Sequence, residues 1–528
     1  MQKPLGAQIS HMLKDRGTDV IFGIPGVHNV EMYRGIEEAG ITHVLARHEQ
    51  GASFMADGYA RATGRPGVCY LITGPGFLNA LTPLGQAWSD SSSVLAICSC
   101  LDEAAGRRGQ LHQMRDQAGA GAAVCDWSEV ALSAEAAYQL VDRALVEFGA
   151  ARKRPKAVHV PISLAGSLAD PAPEAGMAPG LPHVRPEDVA AVAEWLIGAQ
   201  RPLFVFGGGA VGGSWPARQL VACTGAASFQ SYAGRGVIAD DAPLSYGATL
   251  SRPGSVDEVA KADLVIVVGC ELAEVDLWRT ELGHQAPLVR VDIDPAVMNE
   301  TVRPDLALLG DAAQFLSDLL DLVEPHARRS KWSKSEVQAA RTRFRTEAAA
   351  DRPGIAEVCA ALAPEMPGEM RVFSDMTQFA YVAKEVWPMA EPNRWFHPSG
   401  FGTLGWGLPA AIGGKVGLGD EPVLCIAGDY GFQYTLPELG VAVELGLSLP
   451  ILLWDNGKLK EIEDSMVASQ IAPNAVVARN PDFLALARAY GAGAEAPGSL
   501  EELTRAVLDA FEADGPTVIH VTPEILLG

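Results

Sequence analysis

Short, almost uninterrupted apolar runs recur along this chain, and longer stretches of helical periodicity separate them. In the first third the runs are VIFGIPG (20–26), GVCYLIT (67–73), SVLAIC (93–98) and AVHVPI (157–162). The middle carries PLFVFGGG (202–209), DLVIVVG (263–269) and LVRVDIDP (288–295). The last third carries RVFSD (371–375), VLCIAGD (423–429), PILLWDN (450–456) and TVIHVTP (517–523). Strand runs alternating with helices predict parallel sheets covered by helices on both faces. The expected fold class is therefore α/β, with three doubly wound parallel-sheet domains.

Two breaks in this pattern place the boundaries. The stretch SLADPAPEAGMAPGLPHVRPED is rich in Pro, Gly and Ala and reads as a linker. The basic, polar stretch HARRSKWSKSEVQAARTRFRTEAAADRPG reads as a connecting helix. The expected domains are residues 1–165, 186–322 and 355–528. At 528 residues, three domains agree with ordinary domain sizes.

Composition narrows the class. Apolar residues make up 48% and charged residues 20%, enough to build a large core. The net charge of -23 argues against a nucleic-acid partner, which needs a basic face. The eight cysteines form no CxxC pair and lie mostly in apolar runs, as buried reduced thiols do. The N-terminal MQKPLGAQISHMLKDRG reads as an amphipathic helix rather than a signal peptide. No apolar run approaches the ~18 residues of a membrane span. The expectation is a cytoplasmic protein with no membrane partner.

The candidate chemistry concentrates in the last third. VLCIAGDYG ends one run with Gly428, Asp429 and Tyr430, and PILLWDNGK ends another with Asp455 and Asn456. In a doubly wound sheet, ligands bind at the carboxyl ends of the strands. Neighbouring strands would deliver a carboxylate and an amide oxygen to one point, a donor set suited to Mg2+ beside a phosphate. An ordinary turn after a strand has the same appearance.

These segments together resemble the thiamine diphosphate enzymes, in the branch that holds 2-oxo acid decarboxylases and acetolactate synthases. The Gly428–Asp429 step, the 24 residues from Gly431 to Trp454 and the Asp455–Asn456 pair are similar to that family's diphosphate motif. GFGTLGWGLPAAIGG (400–414) resembles its glycine-rich stretch. FGIPGVHN, ARHEQGASFMADGYARATG and ITGPGFLNAL resemble its pyrimidine-binding domain, and LFVFGGGAVGG with VRVDIDP its central domain. The resemblance spans essentially the whole chain.

The resemblance implies roles residue by residue. Glu49 would hydrogen-bond N1′ of the aminopyrimidine and promote removal of the C2 proton. Gly26 and Gly74 would line the cofactor, the carbonyl of Gly402 would face the 4′-amino group, and Leu404 would wedge beneath the bent cofactor. Gly428, Asp429, Tyr430 and Asn456 would border the diphosphate. Asp429, Asn456 and the carbonyl of Lys458 would hold Mg2+. His112 and Gln113 would be polar catalytic residues, and Glu461 and Ser465 would face the substrate. Two positions depart from the family pattern: Tyr430 stands for a glycine and Asp455 for an asparagine. The active sites would lie between subunits of a homodimer or homotetramer.

The implied reaction is non-oxidative decarboxylation of a 2-oxo acid to an aldehyde. An acidic Glu461 favours a substrate with a cationic tail, and the chain is most similar to the 5-guanidino-2-oxopentanoate decarboxylases, whose product is 4-guanidinobutanal. Glu463, Asp464 and Asp116 are the alternative recognising carboxylates. One rival reading is acetolactate synthase-like carboligation. Another is a flavin- or nicotinamide-dependent oxidoreductase using the loop Gly207–Gly212, although no acidic ribose partner follows at the usual spacing. A third is a non-catalytic relative.

Overall fold

The computed structural model describes residues 1–102, 108–299, 302–477 and 479–527. The chain forms two compact units. One comprises Met1–Pro179, Pro367–Thr377 and Gly400–Gly528, and the other Gly180–Met366 with Gln378–Ser399.

The first unit holds two parallel sheets. In one, the strand order is Thr42–Leu45, Val20–Gly23, Gly67–Leu71, Val94–Cys100, Lys156–Pro161, Trp127–Val130. The middle strands are buried along their whole length, which is why they appear as unbroken apolar runs. The order of the chain reverses between Val20–Gly23 and Gly67–Leu71, so the loops after these two strands flank a topological switch point. Gly26 and Gly74 lie in those loops. The strand Thr42–Leu45 leads into the helix Glu49–Thr63, whose first residue is Glu49.

In the other sheet of this unit, the strands Arg371–Ser374, Val423–Gly428, Pro450–Trp454, Thr517–Val521 and Gly493–Glu495 lie side by side in that order. The helix Gly407–Leu418 packs closely on Glu49–Thr63. Glycines permit it: a β-carbon on Gly58 would lie 2.0 Å from the Ala410 carbonyl oxygen, and one on Gly413 would lie 1.9 Å from that of Met55. The crossing thus brings helix backbones into direct contact. Trp406, fully buried, donates from Nε1 to Asp57 at 2.7 Å, and Asp57 in turn pairs with Arg61. Paired in this way, a buried carboxylate avoids most of the cost of leaving water.

A two-residue antiparallel pairing joins Lys3–Pro4 to Leu168–Ala169 at the start of the stretch read as a linker. Pairs this short leave no periodic signal in sequence.

The second unit carries a sheet ordered Ser245–Gly247, Ala227–Gln230, Pro202–Phe206, Leu264–Val268, Leu288–Asp292, Leu306–Leu309, all parallel. This is the dinucleotide-fold strand order. The glycine loop after Pro202–Phe206 winds into the 3-10 turn Gly208–Gly213. Its glycines accommodate protein backbone: a β-carbon on Gly207 would lie 2.1 Å from the Gly269 carbonyl oxygen, and Gly209 N–H donates to that same oxygen.

No helix among the described residues is long and apolar enough to cross a membrane.

Candidate active site

Three adjacent strand ends of the first sheet build one corner of the site. Glu49 opens its helix, with His48 as the capping residue that accepts Gln50 N–H. Glu49 Oε2 accepts from Asn79 Nδ2 at 2.9 Å. Among the described residues Oε1 takes no hydrogen bond from the protein, and a β-carbon on Gly76 would lie 3.0 Å from it. One carboxylate oxygen is therefore fixed by the protein and the other is available to a ligand N–H. The Gly74–Pro75–Gly76 turn beside it has positive φ at Gly74, where a β-carbon would meet the His112 carbonyl oxygen at 2.2 Å. Gly26 packs on Ile72, which also touches Gly76. Gly26, Gly74, Glu49 and His112 thus converge on one corner.

Gln117 holds the Gly74 turn. Its Oε1 accepts Gly74 N–H at 2.9 Å, so its Nε2 donates to the Ser99 carbonyl and to His159 Nδ1, each at 2.9 Å. His159 Nδ1 is then an acceptor, and its Nε2 carries the proton to Ser128 Oγ at 2.8 Å. Burial drives the His159 imidazole toward its neutral form, down to about 4.

His112 adopts φ 63° and meets His28 edge to face, with ring centroids 4.8 Å apart. Each ring has a buried Nδ1 without a hydrogen-bond partner. Burial, and secondarily the facing His112, lowers the pKa of His28. Gln113 is exposed and turned toward its own loop, its Oε1 accepting Gln110 N–H.

The second sheet builds the other corner. Gly428 and Trp454 are register partners, so Asp429 and Asp455, the next residue on each strand, emerge side by side. A single amide spans the two carboxylates: Asn480 Nδ2 donates to Asp429 Oδ2 at 2.7 Å and Asp455 Oδ1 at 2.8 Å. Asp455 also accepts from Gly457 N–H and lies 2.9 Å from His520 Nε2. Burial works against ionised Asp455, but His520, Gly457 N–H and Asn480 outweigh it and lower its pKa. Burial raises the pKa of Asp429, the adjacent Asp455 adds to the rise, and Asn480 opposes it. Two carboxylates converging on one donor, one of them disfavoured as an anion, fit a site that takes a divalent cation.

Asn456 Oδ1 faces Lys458 N–H at 3.2 Å, and Leu459 N–H bonds to the Val476 carbonyl. The tight position of the first motif half is Gly431, not residue 430: a β-carbon there would lie 2.5 Å from Asp375 Oδ2. Tyr430, in the glycine's place, is partly exposed, and the close contact with Asp375 is made at Gly431 instead.

Asp375, 1% exposed, organises the loop that carries Gly402 and Leu404. It accepts Gly405 N–H on both oxygens, at 3.1 and 2.9 Å, and Met376 N–H at 2.7 Å. Thr403 bonds Gln86 and Thr435 bonds the Gly405 carbonyl. Gly402 has φ 67°, and a β-carbon there would meet only the end of the Met376 side chain, at 3.6 Å. Leu404 is partly exposed although its flanking residues are pinned, which suits an apolar side chain held ready to support a ligand.

Glu461 lies on the helix Lys460–Ala468, which buries no residue. It is partly buried. Ser465 is exposed and its hydroxyl donates back to the Glu461 carbonyl at 2.9 Å. Glu463 pairs with Lys458 and Lys460, and Asp464 with Lys460. Asp116 caps the helix Gln117–Ala122 by accepting Gly119 N–H.

Among the described residues, no hydrogen bond or ion pair joins Glu49 or Asn79 directly to Asp429, Asp455 or Asn480. The sequence reading did not identify Asn79, Asn480, Gln117, His28, Asp375 or His520. Asn79 and His28 lie inside segments that carry the resemblance, so only their roles were missing. Asn480 lies on the irregular stretch that follows the helix Lys460–Ala468, and nothing local marks it.

Comparison with known proteins agrees with this division of labour. Residues 4–120 match the N-terminal thiamine pyrophosphate-binding domain of the thiamine pyrophosphate enzymes. Residues 189–319 match the central domain, and residues 375–521 the C-terminal thiamine pyrophosphate-binding domain. A probable 2-ketoarginine decarboxylase, AruI, of Pseudomonas aeruginosa is 41% identical over 98% of this chain and 93% of its own length. The large subunit of acetolactate synthase isozyme 2 of Escherichia coli is 30% identical over 98% of this chain and 95% of its own. That of isozyme 3 is 29% identical over 93% and 89%. Both halves of the cofactor site therefore have their counterparts here, and the chain belongs to the thiamine pyrophosphate enzyme family.

Proposed function

We propose that this enzyme decarboxylates a 2-oxo acid without oxidation, releasing an aldehyde, and that its substrate is 5-guanidino-2-oxopentanoate, the compound also called 2-ketoarginine. The observation that carries the decarboxylase reading is Glu49, with one oxygen tied to Asn79 and the other unbonded among the described residues. Full-length similarity to a probable 2-ketoarginine decarboxylase supports the substrate. So does an acidic residue, Glu461, three positions beyond Lys458.

Thiamine diphosphate, when bound, supplies a nucleophilic carbon and an electron sink for the bond that breaks. Glu49 holds a proton at N1′ of the aminopyrimidine. Gly402 would present its carbonyl to the 4′-amino group, and Leu404 would support the cofactor from below. Asp429, Asn456 and the Lys458 carbonyl would hold Mg2+, and Asp455, bonded to His520, would orient Asn480 beside them. His112, with Gln113 nearby, handles the proton taken up when the aldehyde is formed. Glu461 receives the guanidinium tail and Ser465 lies one turn further along. The protein acts in the cytoplasm as a homodimer or homotetramer, with each site shared between chains.

Carboligation of two 2-oxo acids is the second reading, favoured by the acetolactate synthase relatives. A panel of 2-oxo acids, with carbon dioxide and all organic products quantified, separates the two. One aldehyde per carbon dioxide supports decarboxylation. A hydroxy-keto acid as the main product replaces it with carboligation.

A further inference from the structure

Glu438 belongs to the C-terminal thiamine pyrophosphate-binding segment, yet its carboxylate is buried against the turn that carries Glu49. It is 1% exposed. Oε1 accepts His48 N–H at 2.9 Å and Arg47 N–H at 3.2 Å, and Oε2 accepts Arg47 N–H at 3.1 Å. A β-carbon on Gly51 would lie 2.1 Å from Oε1, so the first turn of the Glu49 helix closes directly over the carboxylate. No other side chain in either segment binds the backbone of the two residues that precede Glu49 among the described residues.

We propose that Glu438 is a positioning residue for the reaction: as a carboxylate it fixes the Arg47–His48 turn and so aims Glu49 at the aminopyrimidine. The inference rests on the role of Glu49 proposed above. Backbone N–H groups aimed at a carboxylate make charge-assisted bonds, which weaken when the acid is protonated and one oxygen becomes a donor. The charged and titratable groups around it are Arg47, His48 and Glu49 on the turn and Glu444, which pairs with Arg47. Burial pushes the Glu438 carboxyl up to about 7, against the pull of the two N–H groups and Arg47. The group therefore titrates near neutral pH, and its ionised form exists at a cost to folding.

That cost gives a readout independent of activity. A carboxyl raised from 4.5 to about 7 contributes stability in full below 4.5 and loses it as pH rises through 7. Replacing Glu438 by Gln removes this dependence. The thermal midpoint of apo-Glu438→Gln should therefore rise relative to wild type between pH 5 and pH 8. Gln retains one acceptor but sets its NH2 group against Arg47 N–H, so the turn should lose its alignment.

The test compares wild type, Glu438→Gln and Glu438→Asp as complete proteins. Thiamine diphosphate affinity is read from fluorescence quenching, and kcat against pH at saturating thiamine diphosphate, Mg2+ and 2-oxo acid. In wild type, kcat should fall below about pH 7. Glu438→Gln should lower kcat on the order of ten- to a hundredfold, as small misalignments at reacting groups do. It should also abolish the acid limb while changing affinity by no more than about threefold. Glu438→Asp keeps the charge and should keep the limb at lower kcat. Wild-type kcat and limb in Glu438→Gln overturn the proposal. If that variant does not fold, loss of the limb in Glu438→Asp overturns it and retention supports it. Failure of wild type to bind thiamine diphosphate defeats the functional reading itself, whereas normal binding with an indifferent Glu438 defeats only this inference.

Discussion

Gly428 and Trp454 sit opposite each other as register partners on neighbouring parallel strands, and this register sets Asp429 beside Asp455. Parallel strands can slip by a residue only at the cost of turning every side chain to the other face, and both strands are buried throughout. The carboxylate pair is thus fixed by the sheet, with Asn480 between them.

Asp429→Ala should weaken Mg2+-dependent binding of thiamine diphosphate on the order of a hundredfold, since even indirect partners of a metal are worth ten- to a hundredfold. Its folding should change little, because burial and Asp455 already disfavour the Asp429 anion. Cofactor titration with and without Mg2+ checks this. A variant with wild-type metal dependence would move the ligand role away from Asp429.

Glu49→Gln should fold normally and lose at least about a hundredfold in kcat, the usual contribution of a positioned proton-transfer group. The amide keeps the hydrogen bond near Asn79 but is a poor proton partner for N1′. Exchange of the C2 proton of bound thiamine diphosphate, followed by NMR, should slow in parallel. Activity within a few-fold of wild type would remove Glu49 from the chemistry.

Much of the architecture was legible because strands buried on both faces leave continuous apolar runs. The Glu49 and Asp429 segments were legible because their glycines and acids sit at fixed distances from strand ends. Tyr430 and Asp455 depart from the family pattern, and the structure supplies the reason each is accommodated. The tight approach to Asp375 is made by Gly431, and Asp455 is met by His520, Gly457 N–H and Asn480. What stayed hidden depends on tertiary contact. Glu438 reaches Arg47 and His48 across some 390 residues. Asn480 approaches from a loop without periodicity.

The His159–Gln117–Gly74 relay should make the fold acid-sensitive. A histidine depressed to about 4 gives its full stability above its ordinary 6.5 and loses it as pH falls toward 4. The loss should approach about 3 kcal/mol, since each pKa unit is worth about 1.4 kcal/mol. Urea denaturation of wild type and His159→Asn at pH 7 and pH 5 isolates this term. The wild-type advantage should shrink at pH 5, and a constant advantage would mean that His159 is not buried as a neutral ring.

Assembly should depend on the cofactor. Glu49 and Asp429 lie in different segments, and in the proposed arrangement each site is completed by a second chain. Thiamine diphosphate with Mg2+ should then tighten the dimer by mass action. Sedimentation velocity with and without cofactor reads this directly. A fully active monomer would contradict the shared site.

The most direct test of the account is the ratio of kcat/KM for 5-guanidino-2-oxopentanoate to that for an uncharged 2-oxo acid of the same length, in wild type and in Glu461→Gln. A planar guanidinium entering a partly dry pocket needs a carboxylate, and a charge-assisted hydrogen bond of this kind is worth roughly 1.5–3 kcal/mol. Wild type should prefer the guanidino acid and release 4-guanidinobutanal. The variant should lose about ten- to a hundredfold of that preference while its rate with the neutral acid stays close to wild type. A wild type that prefers pyruvate, or yields a carboligation product from it, would contradict the account.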